Sequence, residues 1–237
     1  MHKIPIIAHR GASGTEPENT LLAFEKAIEM KADAIECDVQ KCKSGEIMVF
    51  HDTRLKRLTG SKGKLKKRKL AYLKKLDVGK GQSIPSLKEM LDQLDGRIDL
   101  NIELKTKKTS VETGMLIHNS IRTGNWKADN FFVSSFYYKE LKRFHEICPE
   151  IPTALLYASK PRKLKKRVKV LRPIAVHFNV KTVKKSWIDL AHDYGLKVYI
   201  WTVDDPKVAK ILHSDSADGF FTNYPDRLVK ARSNFKT

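Results

Sequence analysis

Short runs of β-branched and aromatic residues alternate with amphipathic stretches from one end of the chain to the other. That alternation is the mark of repeated βα units rather than of a sandwich or a helical bundle. Nine runs read as strands: residues 4–8, 34–38, 47–51, 99–104, 131–135, 153–157, 174–178, 198–202 and 219–222. An eight-stranded barrel has no place for a ninth. The stretch 39–46 is too short to hold a crossover helix and contains the turn-like Lys43-Ser44-Gly45. Residues 47–51 are therefore expected to return as an antiparallel hairpin arm, bringing His51 beside Glu36 and Asp38. Eight parallel strands remain, which predicts an α/β fold, a (β/α)8 TIM barrel carrying that arm. Helices are predicted over 20–30, with Asn19 as N-cap, and over 187–194, ending at Gly195. The Lys- and Gly-rich stretch at about 53–85 reads as a small insertion over the barrel mouth after the second strand.

At 237 residues and 41% apolar content the chain suits one such barrel, a single domain over 1–237. The apolar stretch near the N-terminus is too short for a signal-peptide core or a membrane span, so a cytoplasmic protein is expected. Cys37, Cys42 and Cys148 are few and odd in number and read as buried thiols in a reducing compartment. The formal charge of +19 changes the picture more. It favours polyanionic partners, nucleic acid or an anionic membrane surface, over a neutral surface. The excess sits in two runs, 62–69 (KGKLKKRK) and 160–169 (KPRKLKKRVK), for which a merely solvated basic surface is the plain alternative.

Residues two apart on a strand share a face, so Glu36 and Asp38 present their carboxylates together while Cys37 points away. Glu103 and Lys105 repeat the spacing, and both pairs end strands, where barrel enzymes carry their catalytic groups. If Glu36, Asp38 and Glu103 converge, each pair of charges at about 4 Å repels by roughly 4 kcal/mol at an effective dielectric of 20. That repulsion calls for a cation, and oxygen-only ligands favour Mg²⁺ or Ca²⁺, with Mn²⁺ also admitted. Lys105 offers part of the neutralisation instead. His9 and His51, each at a strand end with a charged neighbour, read as a general base and a general acid. Arg10 offers a planar fork for phosphate oxygens. His2, His118, His145, His177, His192 and His213 lack such company and read as structural, although His177 lies on a strand. Gly79-Lys80-Gly81 does not make a P-loop.

These residues, taken together, resemble the glycerophosphodiester phosphodiesterases. His9-Arg10-Gly11, Pro17-Glu18-Asn19-Thr20, Glu36-Cys37-Asp38, His51-Asp52 and Glu103-Leu104-Lys105 follow that family's order and spacing. Softer matches at Ser134-Ser135-Phe136, Trp201-Thr202-Val203 and Thr222-Asn223-Tyr224-Pro225-Asp226 carry the likeness across nearly the whole chain. The resemblance implies a TIM barrel that hydrolyses glycerophosphodiesters to sn-glycerol 3-phosphate and an alcohol. It implies His9 and His51 as acid and base, Glu36, Asp38 and Glu103 as metal ligands, and Arg10 and Lys105 on the phosphate. Glu18 and Asn19 are further substrate-binding candidates, though helix capping alone would explain them. Phe136 and Trp201 are candidates for lining the alcohol pocket. A small glycerophosphodiester is then the expected partner, with peripheral contact to anionic membrane through the two basic runs and nucleic acid disfavoured. Two readings compete: a lysophospholipase D at an anionic membrane surface, and a non-catalytic polyanion-binding barrel suggested by charge alone.

Overall fold

The computed structural model describes residues 4–235; His2 lies outside them. In chain order the regular elements are β1 (Ile6–His9), α1 (Leu21–Glu29), β2 (Ala34–Lys41), β3 (Ile47–Val49), α2 (Lys56–Thr59), α3 (Leu70–Leu73), α4 (Leu87–Leu94), β4 (Asp99–Leu104), α5 (Ser110–Thr123), β5 (Phe131–Ser135), α6 (Tyr138–Ile147), β6 (Thr153–Tyr157), α7 (Leu164–Leu171), β7 (Ala175–Asn179), α8 (Lys185–His192), β8 (Lys197–Trp201), α9 (Pro206–Ser214), β9 (Gly219–Thr222) and α10 (Pro225–Ala231). Eight strands are parallel, in the order β1-β2-β4-β5-β6-β7-β8-β9, and β1 pairs with both β2 and β9, which closes the ring. The architecture is the (β/α)8 barrel that the alternation predicts.

The ninth strand behaves as its short connection requires. β3 runs antiparallel to β2, with Val39 opposite Val49 and Lys41 opposite Ile47. The Phe50 N–H then donates to the Asp38 carbonyl, so the arm sets His51 down next to the acidic end of β2. β2 reaches three residues beyond its predicted end because β3 supplies those residues with ladder partners.

The start of α1 corrects one expectation. Thr20, not Asn19, is the N-cap, its hydroxyl accepting from the Ala23 N–H at 3.1 Å. Asn19 sits in the left-handed region at φ 58° with its side chain turned into the barrel. Glu18 accordingly precedes the helix and is not a first-turn acid. The helix predicted over 187–194 runs two residues earlier, as α8, and Gly195 follows it at φ 70°.

Period-2 alternation divides each strand between two environments. On β2 and β4, Ile35, Cys37, Val39, Leu100, Ile102 and Leu104 join the core beneath the helices, while Glu36, Asp38, Asn101 and Glu103 turn inward. Fully burying each such aliphatic side chain contributes about 1.5–3 kcal/mol, a driving force that holds the intervening polar residues inside. The stretch 53–85 is anchored rather than loose, because Leu55, Leu65, Leu73, Val78 and Ile84 bury against Met48 and Phe50 as a second small core. Among the described residues no helix is long and apolar enough to cross a membrane.

Candidate active site

Parallel register sets the acids side by side: His9 lies opposite Glu36 on neighbouring strands, and Asp38 opposite Glu103. All three carboxylates are buried, and one oxygen from each lies within 4.8 Å of the others. Two cations reach into the trio. Lys105 Nζ stands 2.9 Å from Glu103 and 3.2 Å from Asp38, and Arg10 Nε stands 3.2 Å from Asp38. Three negative and two positive charges leave the cluster one positive charge short, before any ligand arrives.

Ionisation follows this imbalance. Burial would raise the Asp38 carboxyl, but Lys105, Arg10 and His51 outweigh it and hold the group far below the usual carboxylate range. Glu36, pushed up by burial and by the charges of Asp38 and Glu103, stands well above that range. Burial and Asp38 push Glu103 up to about 7. Lys105 and Arg10 are held in the charged form by these acids, against burial. A hard divalent cation fits this set: the donors are carboxylate oxygens, they converge, and when all three are ionised they exceed the two cations beside them by one charge.

Local backbone chemistry builds the first turn of the site. Arg10 occupies the left-handed region at φ 59°, and its N–H donates to Glu36 at 2.9 Å. Such a conformation costs a non-glycine residue about 1–2 kcal/mol, which the charge-assisted bond helps offset. The next residue must be glycine, since a Cβ on Gly11 would lie 2.7 Å from the Ala23 backbone. Asn19 grips Asp38 twice, its side-chain amide donating at 3.0 Å and its oxygen accepting from the Asp38 N–H at 3.3 Å. Glu18 accepts from Arg10 at 2.9 Å and from Arg57 at 2.8 Å, so it fixes the guanidinium fork.

The two histidines meet the same cavity in different company. The Asn223 amide donates to Asp204 at 2.8 Å, which turns its oxygen toward His9 Nδ1 at 2.8 Å. His9 Nδ1 is then the donor, and Nε2 keeps its lone pair. Burial and Arg10 lower the His9 pKa to about 4. His51 Nδ1 instead faces the Asp52 carboxylate at 2.7 Å, and Arg57 clamps that carboxylate through bonds of 2.7 and 2.9 Å. Burial lowers the His51 pKa as well, while Asp52 opposes the shift.

His9, Arg10, Glu36, His51, Glu103 and Lys105 line one cavity together with Phe136 and Trp201. Phe136 and Trp201 meet edge to face at 5.7 Å, and the Lys105 ammonium lies 5.8 Å from the Phe136 ring. All eleven residues singled out in the sequence therefore lie in this cavity or hold a residue that does. His177, read as structural, also belongs to its wall. The ring packs among Phe221, Tyr199 and Phe132, and its buried Nε2 has no hydrogen-bond partner. Its inward position on β7 was legible from strand alternation. Asn223, Asp204 and Arg57 were missed as site residues, because each reaches the site only through tertiary pairing.

Comparison with known proteins points to one family. The model of the glycerophosphoryl diester phosphodiesterase family matches residues 9–227. The Bacillus subtilis protein YhdW is 37% identical over 235 residues, covering 95% of this chain and 96% of its own. A glycerophosphodiester phosphodiesterase of Bacillus altitudinis is 34% identical, covering 98% of this chain and 99% of its own. A solved phosphodiesterase of Oleispira antarctica, in complex with the product sn-glycerol-3-phosphate, superposes with a TM-score of 0.89 at 29% identity, over 98% of this chain and 97% of its own.

Proposed function

The chain belongs to the glycerophosphoryl diester phosphodiesterase family, and from that premise we propose how its site turns a glycerophosphodiester into sn-glycerol 3-phosphate and an alcohol. One observation carries the reading: two imidazoles and the carboxylates of Glu36 and Glu103, far apart in sequence, line a single cavity, and the buried Asp38 stands within 4.8 Å of both acids. Arg10 and Lys105 present their cations at its acidic wall and bind the phosphate oxygens. Glu36, Asp38 and Glu103 would hold a divalent cation, Mg²⁺ or Ca²⁺ by donor type and Mn²⁺ as a third candidate. When bound, that ion supplies a Lewis acid that polarises the phosphoryl group and lowers the pKa of the attacking hydroxyl.

Proton transfer divides between the histidines. His9, with Nδ1 committed to Asn223, takes the proton of the attacking hydroxyl at Nε2. His51, whose protonated ring the Asp52 carboxylate stabilises, gives its Nε2 proton to the departing alcohol oxygen. The attacker is water or the substrate's own glycerol hydroxyl. The second case passes through a cyclic phosphate, which water opens with the two histidines in exchanged roles. Phe136 and Trp201 form the apolar wall against the alcohol. Glu18 and Asn19 hold Arg10 and Asp38, which supports a positioning role for both rather than direct substrate contact.

The test is turnover of glycerophosphocholine in Mg²⁺, Ca²⁺ or chelator, with sn-glycerol 3-phosphate as the measured product. Turnover that needs the ion is expected; turnover undiminished in chelator would leave Arg10 and Lys105 alone to neutralise the acids. A substrate lacking the neighbouring hydroxyl should react poorly, and equal turnover of it removes the cyclic route. A second reading, lysophospholipase D action at an anionic membrane, is favoured by the exposed lysines near the mouth. Relative rates on lysophosphatidylcholine and glycerophosphocholine separate the two.

A further inference from the structure

The cations of this protein fall into two kinds. On four outer helices lysines have acidic partners: Lys26 with Glu29, Lys88 with Asp92, Lys142 with Glu146 and Lys185 with Asp189. The runs 62–69 and 160–169 contain six and seven basic residues and no acid. Among the described residues, none of these thirteen makes an ion pair. Lys62, Lys64, Lys66, Lys67 and Lys69 are exposed, as are Lys160, Arg162, Lys163, Lys165, Lys166 and Lys169.

This arrangement works against the fold. On α7, Lys165 faces Lys169 one turn on, a like-charge spacing that destabilises a helix. Arg162, Lys163, Lys165 and Lys166 crowd its N-terminal end, where the backbone dipole favours anions. Lys163, Lys166 and Lys169 line an open groove with the exposed Val170. A merely solvated surface would gain from acids at these positions, as those four helices do.

Topology sets the arrays around the opening. The first lies in the segment leaving the arm of β2 and the second follows β6, and β2 and β6 stand three strands apart in the ring. Lys107 and Lys108 after β4, with Lys181 and Lys184 after β7, are also exposed and extend the same arc. The remaining arc, formed by the connections after β8, β9 and β1, carries Asp204, Asp205 and Asp226, and its Glu16 and Glu18 are paired with Lys80, Arg10 and Arg57. The rim is thus strongly cationic on one side and has no such excess on the other.

We propose that the cationic arc docks the barrel mouth on an anionic phospholipid bilayer, with lipid phosphates taken up between the lysines of α7 and of the 62–69 segment. A planar surface engages both arrays at once, and the headgroups beneath the mouth have the phosphodiester chemistry that the pocket accepts. The inference rests on the proposed reading of the pocket, and its test reads binding separately from turnover.

The experiment uses the whole chain in flotation with phosphatidylcholine vesicles, with and without phosphatidylglycerol, at low and high salt. Selective binding to the anionic vesicles is expected, and it should fall with salt. Removing cations should weaken it by about fivefold each. The triple variants Lys64→Glu/Lys66→Glu/Lys67→Glu and Lys163→Glu/Lys166→Glu/Lys169→Glu should each lose at least about two orders of magnitude in affinity. Turnover of soluble glycerophosphocholine should be unchanged in both, and the melting temperature held or raised. Equal binding to both vesicle types, or undiminished binding by either triple variant, overturns the proposal. So does tighter binding to a single-stranded oligonucleotide than to the anionic vesicles. Absent vesicle binding with turnover intact refutes docking alone, whereas absent turnover with vesicle binding intact refutes the reading of the pocket.

Discussion

The buried acidic floor and the exposed basic rim carry opposite charge, and they differ more in what each charge is worth. On the floor, three buried carboxylates face two half-buried cations, and there burial and the charge of Asp38 lift Glu103 to about 7. On the rim, eleven of the thirteen cations are exposed to solvent, where screening leaves each a small effect and only their number gives strength. A few desolvated charges can therefore do chemistry, while many solvated ones can steer and dock.

The largest effects should come from the floor. His9→Ala and His51→Ala should each reduce turnover about 100- to 10,000-fold with the fold intact; a variant that keeps its rate and its melting curve does not use that imidazole. Next is the metal. Mg²⁺ or Ca²⁺ at about 100 times its Kd should stabilise the protein by roughly 2.7 kcal/mol, read as a rise in melting temperature. Glu103→Gln should lose most of that rise, and an equal rise in both proteins would show the ion binding elsewhere.

Smaller effects lie between the two regions. Arg57 and His51 hold the Asp52 pKa down at about 2. A depressed carboxyl stabilises the fold above its unfolded pKa near ~3.9 and loses that contribution as pH falls through its folded value. Asp52→Asn should therefore narrow the stability difference between neutral pH and about pH 2, and acid unfolding curves identical to the parent would show Asp52 unlinked to folding. The smallest effect belongs to His177, whose unpartnered Nε2 sits among aromatic rings. His177→Phe removes a desolvated polar atom worth about 1 kcal/mol, so the melting temperature should rise by about 2–4 °C. A fall instead would mean that the imidazole has a partner in solution, such as an ordered water.

Much of this was legible before any coordinates. The strands over 99–104, 131–135, 153–157 and 219–222 begin and end where the apolar pattern places them, since strands buried on both faces leave a plain compositional trace. The in-phase pairing of Glu36 with Asp38 is a property of strand geometry and needs no tertiary information. Asn19 misled, because a residue good at capping helices is also good at left-handed turns. Only its burial against Asp38 shows which use prevails.

By itself, then, the chain dictated what local rules dictate: the alternation of strands and helices, the antiparallel arm forced by a short connection, and the acids and histidines at strand ends. The tertiary structure decided who holds those groups. Closure of β1 on β9 brings Asn223 to His9 across 214 positions, and the anchored insertion brings Arg57 to Asp52 and Glu18. The reason is physical: periodicity records which side of an element faces the core, whereas a ring closes through pairings between its two ends that no local preference encodes.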